Sequence, residues 1–185
     1  MPRIRMAMLG VALCVAASAE MAHAQARPDF SGDWVRSADS AAVRPAVAAT
    51  GDAAFARGDM GSGWGSMLTI KQDSSRITVQ YPYFSTYDLQ PPIRLVYALD
   101  GSESRNSLNV GHSSSEQRSR TSWEGSTLVI STRSNGPAGP DGRPVTVEVR
   151  QALSLQSPTV LRIVTTRLGV LGGATTSTQV SYTRR

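Results

Sequence analysis

From Trp64 onward the sequence is made of short runs in which β-branched, leucine or aromatic residues recur at every second position, separated by Asp, Ser, Gly and Pro. Alternation of this kind belongs to strands that bury one face and wet the other, and the three-to-four spacing of an amphipathic helix is missing from this part of the chain. Leu68 and Ile70 share one side of a run over residues 66–72, and Ile77, Val79 and Tyr81 share one side of the next, with Asp73-Ser74-Ser75 as the hairpin turn between them. Residues 93–99 alternate Ile93, Leu95, Tyr97 and Leu99 and end in Asp100-Gly101, the strongest hairpin signal in the chain. Residues 103–110 are therefore expected to return beside them, and their polarity suits an edge or a wet face.

Glu124-Gly125 turns residues 118–123 back into 127–133, with Leu128 and Ile130 on one face, and 135–144 reads as a Gly/Pro loop. Val145, Val147, Val149, Gln151 and Leu153 mark one face of a long strand, which puts Glu148 and Arg150 outside; in the reverse facing those two would point inward as a polar anchor for a ligand. Pro158 interrupts, 159–168 resumes, 169–174 turns and 175–183 closes. The pattern is all-β: a single antiparallel up-and-down β-barrel of roughly eight to ten strands, since closure removes the edges that an open meander leaves exposed.

Ahead of the strands, Arg3 and Arg5 precede an apolar run over residues 6–19 that is too short to span a bilayer. Ala22-His23-Ala24 ends it with small residues, so residues 1–24 are expected to be a signal peptide cut after Ala24; a cut after Ala26 fits as well. Residues 25–185 then form one barrel domain in the periplasm or outside the cell, with no integral membrane span. Leu13 before Cys14 is too large for lipoprotein processing, and removing Cys14, the only cysteine, leaves no disulfide and no thiolate. The net charge of +5 falls to +4 with the loss of Arg3, Arg5 and Glu20. Its cations, all arginine except Lys71, are scattered along the sequence, which argues against nucleic acid as a partner.

The folded part opens on Asp29-Phe30-Ser31-Gly32-Asp33-Trp34, where a glycine permits a sharp bend and a tryptophan can floor the following sheet. Residues 37–63, rich in Ala, Asp and Gly, read as a flexible loop or lid with a short helix around 46–56. Together with Tyr97 to Gly101 and the Trp123-Glu124-Gly125…Leu128 hairpin, the opening motif resembles a group of secreted bacterial lipocalin-like proteins, and Gly32-Asp33-Trp34 is more distantly similar to the Gly-x-Trp of true lipocalins. The resemblance implies a barrel that holds a small apolar ligand, and an arginine, here Arg184, packed across the motif tryptophan. Gly32, Trp34, Trp123 and Arg184 are thus the expected structural residues.

Four of the eleven aromatic residues, Tyr81, Tyr83, Phe84 and Tyr87, fall in a proline-bounded stretch; with Tyr97 they are the candidate ligand-binding residues, against the alternative that they cover an end of the core. His112, the only histidine after the signal peptide, Glu116 and Glu148 are the candidates for catalysis. One histidine cannot build a zinc site, no Gly-x-Ser-x-Gly elbow is present, and the glycine-rich residues 57–66 lack the Lys-Ser/Thr end of a phosphate loop. The sequence thus points to a non-catalytic barrel binding a small, partly apolar molecule without metal or cofactor, with a lumenal enzyme or a filled structural barrel as the alternatives.

Overall fold

In the computed structural model residues 27–37, 63–82, 91–110, 113–138, 144–168 and 175–185 are described. The expected signal peptide, nearly all of the expected loop over 37–63 with its 46–56 helix, Tyr83, Phe84, Tyr87, His112 and the expected 169–174 turn lie outside them. The chain is all-β, with ten strands in one nearly closed barrel: β1 (Gly32–Arg36), β2 (Met67–Gln72), β3 (Arg76–Tyr81), β4 (Ile93–Ala98), β5 (Ser104–Val110), β6 (Ser113–Glu124), β7 (Thr127–Ala138), β8 (Pro144–Ser157), β9 (Val160–Leu168) and β10 (Thr176–Arg184). The order across the sheet is β4-β3-β2-β1-β10-β9-β8-β7-β6-β5, every neighbouring pair antiparallel. The first and last strands are neighbours, with Trp34 opposite Arg184 and Arg36 opposite Tyr182.

Alternation fills the inside with Phe30, Trp34, Leu68, Ile70, Ile77, Val79, Leu95, Tyr97, Leu128, Ile130, Leu153, Leu161, Ile163 and Tyr182, each 2 % exposed or less. At roughly 1.5 to 3 kcal/mol for each large side chain taken fully out of water, this set dominates the favourable side of folding. Turns at 73–75, 99–103, 125–126 and 158–159 gather at one end of the barrel, where Phe30 lies stacked on Trp123 with ring centres 6.2 Å apart.

The opening motif is explained residue by residue at that end. Asp29 Oδ1 accepts the Ser31 amide at 2.9 Å, and the Ser31 hydroxyl together with that amide pulls the Asp29 carboxyl below its ordinary value. Gln72 ties the segment to β2: its Oε1 accepts the Phe30 amide, its Nε2 donates to Pro28 O, and its own amide donates to Ser31 Oγ. Trp34 Nε1 donates to Phe30 O at 3.0 Å. Gly32 sits at φ +142°, and a side chain there would stand 3.3 Å from Arg184 Nε. Glycine is thus demanded twice, by its backbone angle and by the arginine that lies in the space a side chain would use.

Two expectations are corrected. Residues 135–138 are the end of a strand, not a loop: β7 runs to Ala138 and pairs with Pro144, with the register shift of a bulge between Asn135 and Ala138. More consequentially, the Asp100-Gly101 turn forms, with Gly101 at φ +83°, yet β4 and β5 share no backbone ladder. The edge of β4 instead meets the inner face of β5 and β6. The Val96 amide donates to Asn106 Oδ1 at 2.8 Å and Asn106 Nδ2 donates to Val96 O at 3.0 Å. The Ala98 amide donates to Ser104 Oγ at 2.8 Å, and Thr121 Oγ1 donates to Ala98 O. The Val96 and Ala98 peptide units that β4 turns toward the gap are answered by side chains, which is the competition that short polar side chains offer to a ladder.

Candidate functional site

Cross-strand register shows how the inner wall changes along the barrel. Val180, Ile163, Leu153 and Leu128 form one row across β10, β9, β8 and β7, none more than 1 % exposed. The next row away from the turns is Thr178, Thr165, Gln151, Ile130 and Thr121. The row beyond is Thr176, Arg167, Val149, Thr132 and Ser119. The same wall therefore passes from hydrocarbon to hydroxyl and amide, and then to a guanidinium. Thr165, Ser119, Gln151 and Thr132 are all buried, and Ser119 Oγ lies 2.8 Å from Thr132 Oγ1. Arg167 continues the inward alternation of Leu161, Ile163 and Thr165 and is half-buried, and burial draws its pKa below the ordinary arginine value. A guanidinium keeps its charge under such a shift, so the wall bears a cation in the row of Thr176, Val149, Thr132 and Ser119.

Trp64 faces these rows from the segment before β2. It is 2 % exposed, its ring centre lies 6.3 Å from that of Tyr97, and it is held on both sides by glycines at φ +83° and +82°, Gly63 and Gly65. Tyr182 Oη donates to Gly65 O at 2.7 Å, and a side chain at Gly63 would stand 3.7 Å from Gln151 Nε2. The segment thus reaches from β10 to β8 inside the barrel, and left-handed backbone on both flanks is affordable only because both are glycine. Burial pushes the Tyr97 hydroxyl well above its ordinary pKa and the neighbouring Tyr81 adds to it, while the hydrogen bond with Trp64 opposes. Tyr97 stays a neutral phenol.

Of the ligand-binding candidates, Tyr81 and Tyr97 are therefore core residues, 8 % and 1 % exposed. Of the catalytic candidates, Glu116 stands on the outer wall with Arg118 Nε at 2.9 Å, and Glu148 stands there with Arg133 Nε at 3.1 Å. Arg150 also faces out, bound to Glu124 at 2.7 Å, so the inward facing of Glu148 and Arg150 does not occur. Exposed pairs of this kind contribute little to stability. Among the described residues no group of three His, Cys, Asp or Glu could hold a metal ion, and no helix is long and apolar enough to cross a membrane.

At the turn end a groove of about 300 Å³ is lined by Arg27, Asp29, Gln72, Asp73, Ser74, Leu99 and Trp123. Its polar groups are already engaged in holding the opening segment and the 73–75 turn, with Arg27 5.2 Å above the Trp123 ring. The inner wall around Arg167 is the better candidate site.

No protein-family model matches the chain, and no curated protein matches it. The case for function rests on the wall itself. Sequence reasoning singled out Gln151 as an inward residue and missed Arg167, although the period of two from Leu161 points straight to it. Trp64 was passed over because it lies between the glycine-rich stretch and the first long strand, where neither pattern claims it.

Proposed function

We propose that this is an exported, non-catalytic barrel that binds a small, partly apolar molecule, with the polar end of that molecule against the inner wall of β6 to β10. The observation that carries the reading is the graded wall: three successive rows go from Val180-Ile163-Leu153-Leu128, through Thr165 and Gln151, to Arg167, Thr132 and Ser119. A fold that needed only stability would continue the hydrocarbon, because buried polar groups have to be matched by partners one by one. A ligand with an apolar body and a polar or anionic end matches the gradient, and a guanidinium presents a fork of donors to a carboxylate or sulfonate. The lipocalin-like reading belongs to this proposal and draws support from Arg184 over Trp34. Export rests on residues 1–24 of the sequence.

Native mass spectrometry of protein purified from the periplasm or medium of its own host tests this. A copurified mass of small-molecule size that leaves on mild activation is expected, together with an N-terminus at Gln25. A chain that emerges bare, and that also fails to take up 1-anilinonaphthalene-8-sulfonate or its neutral analogue N-phenyl-1-naphthylamine, would favour the second reading, a structural barrel filled by its own side chains. Trp64 is the specific observation behind that alternative, since it already occupies part of the interior.

A further inference from the structure

The gap between β4 and β5 differs in kind from the nine ladders that join the other strands. In a ladder, peptide groups of two strands bond each other and the side chains stand clear on the two faces. Here the peptide groups of Val96 and Ala98 are bonded by the side chains of Asn106, Ser104 and Thr121, all from the inner face of β5 and β6. Asn106, 6 % exposed, imitates a strand residue: one carboxamide accepts from and donates to the same peptide position, as a backbone partner would. Toward the end of the barrel away from the turns, the same gap is flanked by Ile93 and Leu108, both only partly buried against the core.

Parting two laddered strands in mid-sheet exposes the packing on both faces. Among the described residues, parting this junction breaks the four hydrogen bonds that Asn106, Ser104 and Thr121 make to Val96 and Ala98, lets water replace them at once, and leaves nine ladders standing. Free energies of local opening range from near zero to the global value, and the lowest belong to elements held by few apolar contacts and by polar bonds that water can satisfy. We propose that the β4–β5 seam is an opening line built into the barrel, along which the wall parts sideways while the rest of the fold stays intact, with Asn106 as its latch.

The alternation of β4 supplies an internal control. The amides of Val96 and Ala98 point at the seam, whereas those of Leu95 and Tyr97 lie on the side of β3, where Leu95 pairs with Val79 and Tyr97 with Ile77. Native-state hydrogen exchange followed by nuclear magnetic resonance on residues 25–185 therefore reads the seam and the ladder on the same strand. In the wild type the Val96 and Ala98 amides are expected to exchange at least about tenfold faster than those of Leu95 and Tyr97, with rates insensitive to low urea because little surface is exposed. Asn106→Ala should speed Val96 by about tenfold more, as expected for the loss of paired hydrogen bonds. Asn106→Asp, which keeps the acceptor and loses the donor, should do so by less, and both should leave Leu95 and Tyr97 unchanged relative to the β8–β9 amides. If Val96 and Ala98 exchange together with Leu95 and Tyr97 in the wild type, at rates that climb with urea as global unfolding does, the seam does not open by itself and the proposal is wrong. If either variant instead accelerates all four amides equally, Asn106 is ordinary core and no latch.

Discussion

The Arg184 guanidinium lies 4.7 Å above the centre of the Trp34 ring, and Arg184 is also the residue directly opposite Trp34 in the β1–β10 ladder. One residue on β10 thus closes the sheet through its backbone and roofs the buried indole through its side chain, in the space left by Gly32. Removing the indole should be severe: Trp34→Ala is expected to cost about 3 to 5 kcal/mol, the usual cost of a cavity of that size. Arg184→Ala should cost about 0.5 to 2 kcal/mol, the value of a guanidinium over an indole. The double variant should then be less damaged than the sum, because the arginine has lost its ring. Urea denaturation of the four proteins checks this, and strict additivity would mean that the contact contributes nothing.

Trp64 makes a second test of what fills the barrel. Trp64→Phe keeps an aromatic ring against Tyr97 but removes the indole donor, leaving a buried phenol without that bond, and is expected to destabilise by about 1 to 3 kcal/mol. Trp64→Ala should cost about 3 to 5 kcal/mol. Should the alanine variant lose under 1 kcal/mol and gain affinity for N-phenyl-1-naphthylamine, Trp64 would be a removable occupant of a ligand space and not part of the core.

Arg167 separates the two kinds of ligand. Arg167→Gln is expected to weaken binding of 1-anilinonaphthalene-8-sulfonate by about tenfold to a hundredfold, the range for one charge-assisted hydrogen-bonded contact, while changing the neutral N-phenyl-1-naphthylamine by less than about threefold. Fluorescence titration of both dyes gives the answer. Equal losses for the two would mean that Arg167 shapes the site without reading charge.

How much of this was legible beforehand divides along physical lines. The strand pattern followed from alternation, because Leu128, Ile130, Leu153, Leu161 and Ile163 carry a period of two that only one facing can bury; the neighbouring of first and last strands followed from closure of the barrel, and the place of Arg184 was what the lipocalin-like resemblance implied. The seam did not follow. Asp100-Gly101 is a true turn, but a turn signal fixes only the reversal of the chain; whether the arms then ladder depends on what their side chains do, and Ser104, Asn106 and Thr121 bond the backbone of β4 themselves. The inner polar rows were half legible, since Gln151 and Thr165 sit in unbroken alternation with apolar residues, yet nothing in one strand reveals that its neighbour is polar at the same height. Trp64 was illegible because its placement depends on two left-handed glycines and on contacts with β4, β8 and β10, which are distant in sequence.

Acid should loosen the turn end first. Asp29, Asp73 and Asp100 each accept hydrogen bonds from a serine two residues on, and these bonds pull all three carboxyls below their ordinary value. A carboxyl whose folded-state pKa is depressed lends stability above its unfolded value of about 3.8, and that stability is lost as pH falls through the folded value. Urea midpoints should therefore be flat from about pH 7 to pH 5 and fall below about pH 4. Asp73→Asn, which can still accept in the turn but cannot titrate, should make that fall shallower; an unchanged acid slope would show that the 73–75 turn plays no part in it.

The strand order has a topological reading. Taken around the barrel, β5 to β10 followed by β1 to β4 is an uninterrupted meander, every step a ladder between neighbours. The molecule is therefore a ring of ten joints. Nine are ladders. At the tenth, β4 to β5, no ladder forms and only the 99–103 turn carries the main chain across, whereas at β10 to β1 a ladder joins two strands that are distant in sequence. Continuity of the chain and continuity of the sheet are broken at different places, so neither break alone leaves the wall in two pieces. Opening the main chain at Gly101 and linking residue 185 to residue 27 would make the two breaks coincide and convert the ring into a plain sequential sheet, with the side chains of Asn106, Ser104 and Thr121 bonded across its slit.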